Sequence, residues 1–178
     1  MNRIHIVENL EARRLLAAQL VVDLQSGTDG SLPSPIAVAG SNAYFFASDG
    51  SSYVLAKSDG TAGGSQVVHH FGPDEYYSSG GAVGIGNLLV FTEHDDAHGD
   101  ELWVTDGTDV GTKLLKDIVP GADGSTPQFL SVANGFVYFS PVSTADSEIW
   151  RTDGTERNDG FALCFREKPF PVLQNFEA

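Results

Sequence analysis

The sequence predicts an all-β fold, arranged as a β-propeller-like array of about three four-stranded blades. The first observation is a repeat: the tripeptide Asp-Gly-Thr begins at Asp59, Asp106 and Asp153, a constant spacing of 47 residues. Repeats of about 20–50 residues are typical of chains built from repeated supersecondary units. The second is that short apolar runs alternate with turn residues, without the apolar period of about 3.6 residues that marks a helix.

Each repeat contains four strand candidates. In the best-preserved unit they are residues 129–133, 136–140, 148–152 and an apolar pentapeptide that follows the tripeptide. The pentapeptide occurs at residues 20–24, 67–71, 114–118 and 161–165. Asn134-Gly135 predicts a two-residue hairpin turn, because both of its central positions need a positive φ. The repeated Asp-Gly suits the same turn chemistry.

Strands that are apolar at every position favour stacked blades over an open sheet. Residues 88–91 and 136–139 are of this kind, whereas a sheet with one solvated face would alternate apolar and polar side chains. We therefore expect neighbouring blades to cover both faces. The recurring pairs Leu102-Trp103 and Ile149-Trp150 are predicted to form the core between blades, since a buried tryptophan removes a large apolar area from water.

The chain divides into three predicted segments. Residues 1–18 form an export-related segment, rich in residues that favour a short helix. Residues 19–160 hold three repeats, at about 20–66, 67–113 and 114–160, and residues 161–178 form a divergent tail that supplies a last closing strand before a disordered end. Propellers have about four to eight blades, so three units suggest an incomplete array: a fragment of a longer chain, a member of an oligomer, or an open stack. A truncated or frameshifted C-terminus would also explain the tail.

Charge narrows the range of partners. The formal net charge is −14, with 24 acidic and 10 basic residues. Such a surface repels phosphate backbones, so nucleic-acid binding is not expected. No apolar run approaches the about 18 residues of a membrane span, and the single cysteine, Cys164, excludes a disulfide within the chain.

Two segments resemble known sequence families. Residues 101–112, Glu-Leu-Trp-Val-Thr-Asp-Gly-Thr-Asp-Val-Gly-Thr, are similar to a full copy of the ELWxxDGTxxGT repeat of large bacterial proteins. Residues 148–155 are similar over a shorter stretch, and the first unit keeps only residues 58–61 and Gly64. Residues 10–17 resemble the LExRxLLA-type N-terminal segment of exported planctomycete proteins. These resemblances imply an extracellular or cell-surface location, and neither carries a catalytic residue.

The repeated tripeptides are interpreted first as structural turns, because an aspartate beside glycine can accept hydrogen bonds from its own loop. Their residues are Asp59, Gly60, Thr61, Asp106, Gly107, Thr108, Asp153, Gly154 and Thr155. The alternative is calcium binding, which needs about 6–8 oxygen ligands and hence partners from other loops.

The densest polar cluster spans residues 93–101, Glu-His-Asp-Asp-Ala-His-Gly-Asp-Glu, and is expected on a loop between two strands. Asp95, Asp96 and Asp100 are its weak candidates for a metal site. Carboxylates beside imidazoles could also supply an acid–base pair for cleavage of a polysaccharide.

The expected function is therefore a non-enzymatic, exported or cell-surface repeat scaffold or interaction module, without a cofactor, whose partner is a protein or a glycan. The alternatives are an enzyme that acts on polysaccharide, as a hydrolase or a lyase, and a calcium-dependent adhesin-like binder.

Overall fold

The computed structural model describes residue 24 and residues 30–61, 63–73, 75–142 and 149–155. These residues form eleven β-strands and no helix, arranged in three antiparallel sheets. The first sheet contains β1 (Ser34–Ala39), β2 (Asn42–Ser48), β3 (Tyr53–Ser58) and β4 (Ser65–His70). The second contains β5 (Tyr76–Ile85), β6 (Leu88–Asp95), β7 (Gly99–Thr105) and β8 (Lys113–Lys116). The third contains β9 (Pro127–Ala133), β10 (Phe136–Pro141) and β11 (Trp150–Thr152).

Within each sheet the strands pair in chain order, and the first strands of the sheets meet: β1 contacts β5, and β5 contacts β9. At one of these junctions the backbone N–H of Gly40 donates a hydrogen bond to the carbonyl of Gly86 at 2.7 Å. Gly84 lies against the backbone of Val38, which leaves no room for a Cβ. Sheets that converge on their first strands follow the blade arrangement of a propeller, so the predicted all-β, propeller-like fold is confirmed.

Two apolar clusters fill the spaces between successive sheets. The cluster between the first and second sheets includes Phe46 and Phe91, whose ring centroids are 5.7 Å apart. The cluster between the second and third includes Val90, Leu102 and Phe139. Because Val90 and Phe91 are consecutive and fully buried, β6 is covered on both faces. This is the arrangement that the wholly apolar strands predict.

One predicted turn is confirmed and the other is not. Asn134 and Gly135 have φ values of 51° and 77° and join β9 to β10 as a two-residue hairpin. After Asp59 and Asp106 the chain makes longer loops, because β3 ends at Ser58 and β4 begins only at Ser65. The two-residue turn is therefore wrong for the Asp-Gly-Thr segments.

The predicted unit boundaries differ from the sheets. The boundary between residues 66 and 67 cuts through β4, and the one between 113 and 114 cuts through β8. Each of these two sheets therefore ends a few residues later than the sequence suggests. The segments 1–18 and 161–178, with the predicted short helix and the predicted closing strand, lie outside the described residues.

Candidate functional site

The Asp-Gly-Thr segments adopt one geometry three times. The Oδ1 of each aspartate accepts hydrogen bonds from the backbone N–H and the hydroxyl of the threonine two residues on. These distances are 2.9 and 2.7 Å at Asp59, and 2.9 and 2.6 Å at both Asp106 and Asp153. Each carboxylate thus closes its own turn, as an aspartate does in an Asx-turn.

The same hydrogen bonds favour the ionised forms of Asp59 and Asp106. The side-chain hydrogen bond from Thr61 is the main cause that lowers the pKa of Asp59, and that from Thr108 does the same for Asp106. Both carboxylates are exposed. They are therefore ionised at neutral pH and contribute to the acidic surface.

Two of the three turns dock on the preceding sheet. Lys57 of β3 donates a hydrogen bond from Nζ to the carbonyl of Gly107 at 2.8 Å. His69 of β4 contacts the carboxylate of Asp109 through Nδ1 at 2.6 Å. Gly154 lies against Leu88 of the second sheet. Gly107 and Gly154 are buried as a result, whereas the equivalent residue of the first sheet, Gly60, is exposed.

The two tryptophans occupy equivalent positions. Trp103 is half-buried against the first apolar cluster, and Trp150 is half-buried against the second, with its ring centroid 6.3 Å from that of Phe139. Each therefore faces the sheet before its own.

The neighbouring apolar residues differ from each other. Leu102 is fully buried and packs towards the third sheet. Ile149, by contrast, is 49 % exposed and precedes β11 instead of lying in it. The prediction that Ile149 belongs to the core is wrong, because none of the described residues forms a following sheet to cover it.

Most of the polar cluster at 93–101 lies in strands, since β6 extends to Asp95 and β7 begins at Gly99. The expectation of one long loop is therefore wrong, and only residues 96–98 connect the strands. Asp95 closes this connection: its Oδ1 accepts the backbone N–H groups of Ala97 and His98 at 2.8 Å each. The Nδ1 of His98 lies 2.9 Å from the same oxygen.

The three weak metal candidates do not share one set of contacts. Asp95 is bound to its own turn, whereas Asp96 and Asp100 both lie beside His94, with their Oδ1 atoms 3.9 Å from Nε2 and 2.8 Å from Nδ1. The side chain of Asp96 is 76 % exposed. In the part of the chain that the structure describes, no three His, Cys, Asp or Glu side chains form a group that could hold a metal ion.

Glu101 accepts hydrogen bonds from the segment that connects the second and third sheets. It is fully buried, and its Oε1 accepts the backbone N–H groups of Ile118, Val119 and Ser125 at 3.0, 2.9 and 3.0 Å. Its Oε2 accepts the hydroxyl of Ser125 at 2.6 Å. Burial raises the pKa of Glu101, and these hydrogen bonds oppose that effect. The recurrence of the Glu-Leu-Trp pattern was the sequence signal for this residue.

Glu93, which lies opposite Glu101 in the β6–β7 register, has different surroundings. It is fully buried, and neither carboxylate oxygen has a hydrogen-bond partner among the described residues. Burial, with smaller contributions from Glu75 and Asp95, raises the pKa of Glu93 to about 9. The group is therefore neutral at pH 7. No sequence pattern distinguishes it from the other carboxylates of the 93–101 cluster.

A groove opens beside this cluster, and we call it the Trp103 groove. Its volume is about 440 Å³. Its lining consists of Gly72, Pro73, Glu75, Asp95, Asp96, Ala97, His98, Trp103 and Leu114. The Nε1 of Trp103 is buried and has no hydrogen-bond partner among the described residues. A second cavity of about 360 Å³ shares the Gly72, Pro73 and Glu75 wall and continues towards Tyr53.

No protein-family model matches the sequence, and no curated protein matches it. Among solved structures, the chain is similar to one described as "Crystal structure of Nidogen/Laminin Complex". The TM-score is 0.40 and the sequence identity is 16 %, over 71 % of this chain and 49 % of that chain. The similarity therefore spans about half the length of the solved chain.

Among the described residues there is no helix long and apolar enough to cross a bilayer.

Proposed function

We propose that this chain is a non-enzymatic interaction module that binds a basic segment of a protein partner in the Trp103 groove. The observation that carries the proposal is the composition of the groove. It combines the carboxylates of Glu75, Asp95 and Asp96 with the half-buried indole ring of Trp103.

A positively charged side chain suits this lining. A lysine or arginine side chain over a tryptophan ring gains about 0.5–2 kcal/mol from the cation–π interaction. The carboxylates around Trp103 attract the same charge, and the net charge of −14 steers cations towards the surface. The adjoining cavity gives an extended peptide a path along the Glu75 wall.

The arrangement of the acidic groups supports binding over catalysis. A general acid or base must come within hydrogen-bond distance of the reacting atom. Glu93 is sealed from solvent, and Asp95 already accepts three hydrogen bonds from its own connection. Glu75 accepts the backbone N–H of Gly72. Asp95 and Glu75 therefore shape and charge the groove, while both carboxylates are engaged by hydrogen bonds from the protein.

The indole N–H resonance of Trp103 provides the test, with the Trp150→Phe variant used to assign it. The protein is titrated with short Gly/Ser peptides that carry a central Arg, Gln or Glu. We expect only the Arg peptide to shift the resonance. Added salt should weaken its binding, and Asp96→Asn should lower the affinity about two- to fivefold, the usual effect of one exposed charge.

Asp123→Asn is the matched control, since it removes an exposed carboxylate that does not line the groove. Equal shifts with the Glu peptide, or an unmoved Trp103 resonance with every peptide, would refute the proposal.

A glycan is the second candidate partner, favoured by the half-buried indole ring of Trp103 beside the polar groups of the groove. Aromatic faces and polar groups together suit sugar rings, and a neutral oligosaccharide would shift the Trp103 resonance without dependence on salt. The same titration therefore distinguishes the two partners.

We further propose that the protein is exported and that its repeats belong to the ELWxxDGT type. The support is the resemblance of residues 10–17 and 101–112 to those families. Fusion of residues 1–18 to a reporter tests export: we expect secretion, and Arg13→Ala with Arg14→Ala should reduce it. Retention of the unaltered fusion inside the cell would contradict the proposal.

A further inference from the structure

The outward face of the third sheet has the chemistry of a surface that receives a further blade. The register defines equivalent positions, because Ser58, Thr105 and Thr152 each precede a tripeptide and pair with β2, β6 and β10. In every sheet, the residue directly before this one pairs with a residue of the neighbouring strand. The three pairs are Tyr44 with Lys57, Val90 with Val104, and Tyr138 with Arg151.

In the first two sheets this position receives the turn of the next sheet. Lys57 donates to the carbonyl of Gly107, and a Cβ on Gly107 would meet the hydroxyl of Tyr44 at 2.6 Å. A Cβ on Gly154 would approach Val90 to 3.9 Å. The pair thus marks the docking position of a tripeptide turn at both of these interfaces.

The third sheet repeats the chemistry of the first. The register places the aromatic Tyr138 opposite the cationic Arg151, as it places Tyr44 opposite Lys57. The guanidinium carbon of Arg151 lies 4.2 Å from the ring centroid of Phe136. Ile149, at the position of the fully buried Leu102, is 49 % exposed. No described tripeptide turn docks on this face.

The first sheet presents the complementary part. Gly60 is exposed, and a Cβ placed on it would have no atom within 4 Å. On the same side of the sheet Ala43 is exposed and Phe45 is half-buried, although their counterparts Leu89 and Phe91 are fully buried. The deeper positions of this face are already covered, as Ala47 and Val54 show. The available contact is therefore the turn and the adjoining edge.

We propose that two copies of this chain associate head to tail, with the Asp59-Gly60-Thr61 turn of one copy docked on Tyr138 and Arg151 of the other. A second copy continues the arrangement inside the chain, since the same kind of turn occupies the same position at both interfaces between the described sheets. Charge is complementary, because Arg151 would lie near the ionised Asp59.

The same contact formed twice closes the assembly. The three sheets that the described residues form, taken from two copies, give six blades, within the range of about four to eight that closed propellers contain. A contact between two different surfaces produces a ring when the rotation closes and a filament when it does not. The proposal therefore predicts a discrete dimer.

The test measures the mass of the full chain by sedimentation equilibrium over a range of concentrations. We expect twice the chain mass of 18.9 kDa. Arg151→Glu places a carboxylate close to Asp59 of the other copy. Gly60→Asn adds a side chain at the position where the equivalent glycines, Gly107 and Gly154, contact the preceding sheet. Each change should raise the dimer dissociation constant at least about tenfold. Arg151→Lys should keep the dimer, because Lys57 performs this role in the first sheet.

Two variants control for strain and charge. Gly121→Asn has a comparable backbone, with φ of 100° and open space around it, and Lys113→Glu reverses an exposed charge on β8. Both should leave the dimer intact, and circular dichroism checks that every variant is folded. A single-copy mass at all concentrations, a dimer that both Arg151→Glu and Gly60→Asn leave unchanged, or growth into larger assemblies would overturn the proposal.

Discussion

The aspartate carboxylate of the Asp-Gly-Thr turn explains why the first two repeats have a second glycine after the tripeptide. Asp59 and Asp106 turn inwards on their own loops, and Gly64 and Gly111 lie directly against them. A Cβ at either glycine would overlap the carboxylate. The glycine that follows the first two tripeptides is therefore required because a larger side chain would not fit. The hydroxyl after it completes the loop, since Thr112 donates to Thr105 at 2.7 Å.

This packing predicts the effect of Gly111→Ala. The added methyl group must displace the Asp106 carboxylate and break its two hydrogen bonds, so we expect the free energy of unfolding to fall by about 1–3 kcal/mol. Gly63→Ala is the control, because that position is open and its φ is not positive. Urea denaturation of both variants gives the comparison. Equal effects would show that the loop rearranges without cost.

Glu93 predicts a pH dependence of stability. Its pKa of about 9 in the folded protein lies above the value of 4.5 that applies when the chain is unfolded. Between these values the folded state holds a proton that the unfolded state has lost. The stability that this bound proton contributes is fully present below the unfolded pKa of 4.5 and is lost as the pH rises through the folded pKa of about 9. The free energy of unfolding therefore falls by at most about 1.4 kcal/mol per pH unit in this range.

Glu93→Gln isolates this contribution, because glutamine keeps the shape and does not titrate. We expect the unfolding free energy of the unaltered protein to fall relative to that of the variant from about pH 5 to pH 9. His98, whose pKa is raised chiefly by its hydrogen bond to Asp95, titrates in both proteins and cancels in the difference. Parallel pH profiles would mean that Glu93 is solvated or paired in solution.

At the scale of elements, the Asp-Gly-Thr turns of the second and third sheets pack against the sheet before each of them. A substitution at Gly107 tests how much this packing stabilises the fold. Its φ is 88°, and a Cβ would meet Tyr44 and Lys57 at 2.6 and 2.8 Å. Gly121 has φ of 100° and nothing nearby. Gly107→Ala should therefore cost about 1–3 kcal/mol more than Gly121→Ala. Thermal unfolding of the two variants measures the difference, and equal costs would show that backbone strain alone matters.

Sequence reasoning succeeded where local chemistry decides the outcome. The hairpin at Asn134-Gly135 follows from backbone preference, and the equivalent settings of Trp103 and Trp150 follow from the constant spacing. It failed where the outcome depends on a neighbour in space. Ile149 has the apolar character of Leu102, but its burial depends on a following sheet that the described residues do not contain.

The candidate site was harder to predict than the fold. The spacing of Glu93 and Glu101 does not reveal that the Glu101 carboxylate accepts four hydrogen bonds, whereas that of Glu93 accepts none from the described residues. The donors to Glu101 come from residues 118–125. The groove likewise combines Trp103 with Glu75 from the connection between two sheets. Only the packing of the sheets brings these residues together.

For the whole molecule, the net charge of −14 predicts how stability responds to ions. Self-repulsion destabilises a compact state, and salt screens it. We therefore expect the melting temperature to rise with sodium chloride. Calcium chloride at the same ionic strength should give the same rise, because the Oδ1 atoms of Asp59, Asp106 and Asp153 already accept two hydrogen bonds each. Differential scanning calorimetry with matched ionic strengths makes the comparison, and magnesium chloride controls for divalent charge. A further rise that only calcium produces and EGTA reverses would show that these turns, or residues beyond the described ones, bind calcium, and would restore the adhesin-like alternative.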